Sequence, residues 1–188
     1  MHRIFRAAIA AAILAAPIAA QKSESTDDNF QWSGKMPSGA WIRVYNLNGE
    51  ISVERATGDV AEVSGEKRWR RGDPKEVRFV VVKDGENMTI CALWGDESTC
   101  DARGMNNHRR HHDDDYDNHN DVNVKFVIKL PKGVKVSANT VNGSLTSDFP
   151  LLITGRVDPK HIRAKIGTGN RRVELSTVNG SIELRKGS

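Results

Sequence analysis

Of the 188 residues, 28 are Lys or Arg and 24 are Asp or Glu, a formal charge of +4. Residues 1–20 carry Arg3 and Arg6 and no acid, so that without them 26 basic residues face 24 acidic ones. A chain this close to neutral lacks the basic excess of a dedicated nucleic-acid binder, and its length suits one domain with a hydrophobic core. Aromatics make up only 6%, against 16 glycines, which favours strands and turns over helices.

At the N-terminus, Arg3 and Arg6 precede an apolar run from Ala7 to Ala16, then Pro17 and Ile18-Ala19-Ala20, which supplies the small residue needed before a cleavage point. This three-part pattern predicts a secretory signal peptide over 1–20, cut after Ala20. The apolar run is shorter than the roughly 20 residues that span a bilayer. No Cys follows it to carry a lipid, and no transmembrane segment is expected after cleavage.

Residues 21–29 are polar and acidic and predict a disordered lead-in. From residue 30 to 188 the pattern is that of a single all-β domain. Trp41-Ile-Arg-Val-Tyr45, Ile51-Ser-Val-Glu54, Val60-Ala-Glu-Val63, Val77-Arg-Phe-Val-Val-Val82 and Met88-Thr-Ile-Cys-Ala-Leu93 predict strands. Gly49, Gly58, Gly65, Gly72 and Gly85 fall at turn spacing between them. A polar loop rich in His and Asp fills 95–121, after which Val122 to Leu130 predicts another strand, closed by Pro131-Lys-Gly133. The strip Lys67-Arg-Trp-Arg-Arg71 reads as a solvated turn, because it ends in Gly72-Asp73-Pro74.

Cys91 and Cys100 are the sole cysteines. In an exported chain such a pair is expected to be a disulfide.

Thr140-Val-Asn-Gly-Ser-Leu145 recurs as Thr177-Val-Asn-Gly-Ser-Ile182, with a looser copy at Asn46-Leu-Asn-Gly-Glu-Ile51. Each places an Asn-Gly step between apolar residues: Asn48-Gly49, Asn142-Gly143 and Asn179-Gly180. Asn and Gly tolerate positive φ, so these are expected structural turns. They serve either a two-residue hairpin or a corner recurring along a stack of strands, and periodicity leaves both open.

These motifs, together with Val127-Ile-Lys-Leu-Pro-Lys-Gly-Val-Lys-Val136, Ser147-Asp-Phe-Pro150, Ile166-Gly-Thr-Gly169 and Ile90-Cys-Ala92, resemble a family of bacterial envelope proteins. Its members are β-strand-repeat proteins described as putative adhesins, a domain of unknown function. The resemblance spans roughly residues 41–188. It implies a solenoid-like or rolled β-sheet domain outside the cytoplasm, periplasmic or at the cell surface, and it brings no catalytic residues with it. The insert from Arg103 to Asp121 departs from the family pattern.

That insert holds His108, His111, His112 and His119 beside Asp113 and Asp115, donors that suit Zn, Ni, Cu or Ca. The run from Asp113 to Asn118 lacks the glycine and distal Glu of an EF-hand loop. No nucleophile elbow, zincin helix or phosphate loop is present. Carboxylates such as Asp148 and Asp158 could form a glycosidase pair, but they precede Phe149-Pro150 and Pro159 and read as turn formers. His161 is expected at the surface.

The sequence therefore predicts an exported, non-catalytic module without a cofactor. Its expected partner is an envelope protein or a polysaccharide, with no specific nucleic acid. The alternatives are a periplasmic divalent-metal binder using the insert, and a carbohydrate-active β-solenoid enzyme.

Overall fold

Alternation of apolar and polar residues buries one face of a strand and leaves the other to water, and that pattern organises most of this chain. The computed structural model describes residues 21–106, 121–147, 151–153, 161–166, 172–177 and 180–184. The strands are β1 (Gln21–Ser25), β2 (Asn29–Lys35), β3 (Trp41–Asn48), β4 (Ile51–Arg55), β5 (Val60–Arg68), β6 (Val77–Asp84), β7 (Asn87–Trp94), β8 (Thr99–Asp101), β9 (Gly104–Asn106), β10 (Asn123–Leu130), β11 (Lys135–Ser147), β12 (Leu151–Ile153), β13 (His161–Ile166), β14 (Arg172–Thr177) and β15 (Gly180–Leu184). Among the described residues the only helical element is a 3-10 turn, Pro74–Glu76, capped by the Asp73 carboxylate, which accepts from Lys75 N at 2.8 Å. The fold is all-β, with no closed barrel.

The long strand β11 joins two arms of one sheet. On one side the order runs β12–β13–β14–β11–β3–β7–β6–β1, and on the other β11–β15–β4–β10–β5–β2. The strands nearest β11 pair in parallel (β3, β7, β14, β15, β4 and β10), and the outer ones pair antiparallel. The inner faces of both arms share one core. Ile42 and Val44 of β3, Ile90 of β7 and Phe79 of β6 meet Phe126 and Ile128 of β10, Val63 of β5 and Ile51 of β4. Each such side chain, fully removed from water, contributes about 1.5–3 kcal/mol. Phe79 stacks on Phe30 at 5.1 Å and takes the edge of Phe126 at 5.8 Å.

The Asn-Gly ambiguity is resolved at the described positions. β3 and β4 do not pair with each other; the chain leaves one arm at Asn48 and enters the other at Ile51. Asn48-Gly49 is therefore a corner rather than a hairpin. At Asn142-Gly143 there is no break at all, because β11 runs straight through the step. Its partners change there instead: Thr140 stands beside Asn46 and Thr177, Asn142 beside Asn48, and Gly143 beside Gly180. Asn179 lies outside the described residues. The order β3–β11–β14 in one arm becomes β4–β15–β11 in the other, which is not the order of a simple stack.

Three other expectations need correction. The lead-in at 21–29 is not disordered: Gln21–Ser25 forms β1, antiparallel to β6, and β2 begins at Asn29. Backbone pairing does not require apolar side chains, and β6, buried on both faces along Phe79–Val82, offers an edge that a polar strand can complete. Gly65 is no turn; it sits inside β5 opposite Phe30 and Phe126, where its missing side chain makes room for aromatic rings. The loop at 95–121 is not wholly irregular, since β8 and β9 form a short hairpin within it.

Candidate binding surfaces

The apolar run of β6 and β7 buries both faces, unlike the alternating strands. One face feeds the main core. On the other, Val80, Val82, Cys91, Leu93 and Cys100 form a second hydrophobic cluster against Tyr45 and Met105. The β8–β9 hairpin lies over it, held by the Cys91–Cys100 disulfide that the sequence predicted. The Tyr45 hydroxyl donates to the Arg103 carbonyl at 3.1 Å, and Thr89 Oγ1 donates to the Ala102 carbonyl at 3.3 Å. Arg78 secures the approach to the hairpin: Nη2 donates to the Gly95 carbonyl at 2.9 Å, and Nη1 meets Glu24 of β1 at 2.6 Å.

Two outer faces stand out by their grooves, charges or rings. The first is a groove of about 610 Å³ over β2, β5 and β10, lined by Gln31, Ser33, Glu62, Ser64, Val127 and Lys129. Its charges answer each other, Lys129 lying 3.5 Å from Glu62. Nearby cations are likewise matched, Lys35 with Asp59 at 2.8 Å and Lys125 with Glu50 at 3.3 Å.

The second face belongs to β3 and β11. Trp41 and Arg43 lie on the opposite side of β3 from the core residues Ile42 and Val44. The Arg43 guanidinium carbon stands 5.5 Å from the Trp41 ring centroid, and Lys135 Nζ of the adjacent strand also stands 5.5 Å from it. A ring face attracts cations through its quadrupole. Among the residues whose side chains are described, no carboxylate forms an ion pair with either cation. The Trp41 amide is fixed by the Asn87 side chain, Oδ1 accepting at 3.0 Å.

The basic strip at 67–71 divides. Trp69 is exposed, as are Arg70 and Arg71, but Lys67 is in β5 and only 3% exposed. It lies on the same side as Val63 and Gly65, and its ammonium donates to the carbonyls of Thr26 at 2.7 Å and Pro74 at 2.8 Å, with Nζ 5.4 Å from the Phe79 ring. Burial pushes its pKa below the ordinary 10.5, against the opposing pull of Asp28, Asp27 and Asp73. The solvated-turn expectation fails for Lys67, and the alternation of β5 was the signal that carried it inward. At the end of the strip, Asp121 Oδ1 accepts from the amides of both Arg70 and Arg71 at 2.9 Å, which holds its carboxyl below the ordinary 3.8.

The corner also carries side chains whose role the sequence did not disclose. Asn46 Nδ2 donates to the Val124 carbonyl at 2.8 Å, and Asn48 Nδ2 to the Val122 carbonyl at 3.1 Å. Both therefore tie the corner to the start of β10, beyond any turn-forming role.

The proposed metal donors His108, His111, His112, His119, Asp113 and Asp115 lie outside the described residues, as do Asp148 and Asp158. Among the described residues no group of three or more His, Cys, Asp or Glu could hold a metal ion. His161 is the first residue of β13, opposite Ser176 of β14. No helix among the described residues is long and apolar enough to cross a membrane.

No family model matches the chain, and no curated protein matches it. Among solved structures, a putative cell adhesion protein from Clostridium sporogenes is similar to it at 7% identity and a TM-score of 0.26, over 85% of this chain and 100% of that one. The fold places the chain in the all-β class, as an open sheet bent around a core and stapled by a disulfide.

Proposed function

We propose that this is an exported, non-catalytic module of the bacterial envelope, a rolled β-sheet related to the adhesin-like strand-repeat proteins, which acts by presenting its outer faces to another envelope component. The observation that carries the reading is the Cys91–Cys100 bond. It closes a hairpin over a second hydrophobic cluster, and such a structural disulfide belongs to an oxidising compartment. The signal-like N-terminus supports the same location. The groove over β2, β5 and β10 is lined mostly by polar side chains, which suits a polar partner laid along the sheet better than a small enclosed substrate.

Cell fractionation with N-terminal sequencing and thiol labelling tests this. The protein is expected outside the cytoplasm, beginning at Gln21, with neither cysteine labelled until it is reduced. Crosslinking in the native cell is expected to capture an envelope component. Recovery from the cytoplasm with an intact Met1 and two reactive thiols would overturn the reading.

A further inference from the structure

We infer that the groove over β2, β5 and β10 holds an uncharged glycan chain laid across the three strands, with Gln31, Ser33 and Ser64 bonding its hydroxyls. The inference deepens the envelope-module reading and rests on it, because it gives the module a partner among the polymers outside the cytoplasm.

Strand register builds the groove. Gln31 of β2, Ser64 of β5 and Val127 of β10 stand side by side in one row, and Ser33, Glu62 and Lys129 in the next. All six alternate with Phe30, Val63, Phe126 and Ile128, which point into the core, and so face outward. Short side chains at Ser33, Ser64 and Val127 lower the surface between the longer Gln31, Glu62 and Lys129, leaving a volume of about 610 Å³. Ligand sites span roughly 300–1,000 Å³, so the groove has room for sugar rings, and its open outer side lets a chain run on past it.

The chemistry of the lining counts against the competing occupants. Every charged side chain on the outer face of these strands has a partner within the protein. Lys129 lies 3.5 Å from Glu62, Arg68 2.9 Å from Glu66, Lys125 3.3 Å from Glu50 and Lys35 2.8 Å from Asp59. A charged polymer would have to break one exposed pair to form another, a near-even exchange. A polypeptide strand finds no backbone to pair with on the floor, because β5 is flanked by β2 and β10, and β10 by β5 and β4. A packed protein interface needs an aromatic, aliphatic or Arg anchor at its centre, and the centre here is Ser64. The groove instead offers a side-chain amide and two hydroxyls, groups that donate and accept as sugar hydroxyls do. Trp32 on the β2 side and Val127 on the β10 side add apolar surface for the C–H face of a ring.

Amide NMR titration of the whole protein with maltohexaose, cellohexaose and mannohexaose, beside polygalacturonate, provides the test. At least one neutral hexasaccharide is expected to bind with a Kd of about 1 mM or tighter and to shift the amides of Gln31, Ser33, Ser64 and Val127. Because no charge is recruited, the affinity is expected to change by less than about twofold between about 50 and 500 mM salt. Ser64→Phe, which fills the floor, is expected to weaken binding by about tenfold or more, and Gln31→Ala by about threefold. Lys83→Gln, on the outlying strand β6, is expected to change it by less than about twofold. Gln31→Ala carries the test should Ser64→Phe disturb folding. No binding of any neutral hexasaccharide at about 10 mM would overturn the inference. So would shifts confined to residues outside the groove, tighter binding of polygalacturonate, or equal losses in the Gln31 and Lys83 variants. An exported protein that ignores the neutral chains sinks only this inference, whereas a cytoplasmic one sinks the module reading itself.

Discussion

The Thr140 hydroxyl donates to the Gly49 carbonyl at 3.1 Å, linking positions 91 residues apart in the chain. Thr140 opens one copy of the repeated motif and Gly49 belongs to another, so the first residue of one copy satisfies the corner carbonyl of its neighbour. Thr177 holds the same place in the third copy and stands in register with Thr140. Thr140→Val keeps the shape but strands a carbonyl, at a cost of about 1–2 kcal/mol. Thr177→Val is expected to cost a similar amount. Urea unfolding of each variant checks this, and a cost confined to Thr140 would show that the contact does not repeat.

Gly49 has a φ of +123°, and a Cβ there would stand within 3 Å of the Val124 backbone. The corner and β10 thus touch main chain to main chain. Gly49→Ala combines an unfavourable backbone conformation with a clash that only movement of β10 can relieve. A loss of at least about 2 kcal/mol is expected, measured by thermal unfolding.

Gly65 is constrained by volume alone. A Cβ would lie 2.9 Å from both the Phe126 and Phe79 rings. Gly65→Val is expected to overpack the core by about 1–3 kcal/mol. Adding Phe126→Leu should return part of that loss, and a double variant no more stable than the single one would contradict the packing account.

Cys91–Cys100 closes a loop with a sequence separation of 9. Loss of that closure, as in the paired Cys→Ser variant, is expected to cost about 2–3 kcal/mol through the unfolded chain. The main core, which the hairpin does not enter, should stay folded. Near-ultraviolet circular dichroism is expected to report a changed environment at Tyr45, while the strand signal in the far ultraviolet persists.

Asp121 and Asp101 share a pattern with a definite pH consequence. Asp101 accepts from the amides of Arg103 and Gly104, as Asp121 does from Arg71 and Arg70, and both carboxyls are held below the ordinary 3.8. A depressed folded-state pKa gives stability that is complete above the unfolded value and is lost as pH falls through the folded one. Stability should therefore decline below about pH 4. Asp121→Asn keeps an acceptor oxygen but cannot titrate, so its acid limb is expected to be shallower than that of the parent in unfolding curves between pH 2 and about 5.

The sequence by itself determined the all-β class, the strands from Trp41 to Leu93 and from Asn123 to Leu130, and the Cys91–Cys100 pair. Those features rest on local alternation and on the chemistry of two thiols, neither of which needs a distant partner to be recognised. Only the tertiary structure decided that Gln21–Ser25 is a strand, because its pairing depends on the open edge of β6 rather than on its own side chains. It alone turned Asn48-Gly49 from a possible hairpin into a corner, since the local conformation suits both and the choice belongs to parallel partners far along the chain. The same holds for the cations at Trp41. Arg43 is a neighbour in sequence, but Lys135 reaches the ring only through the pairing of β3 with β11, a register fixed by the apolar faces of both strands meeting the common core.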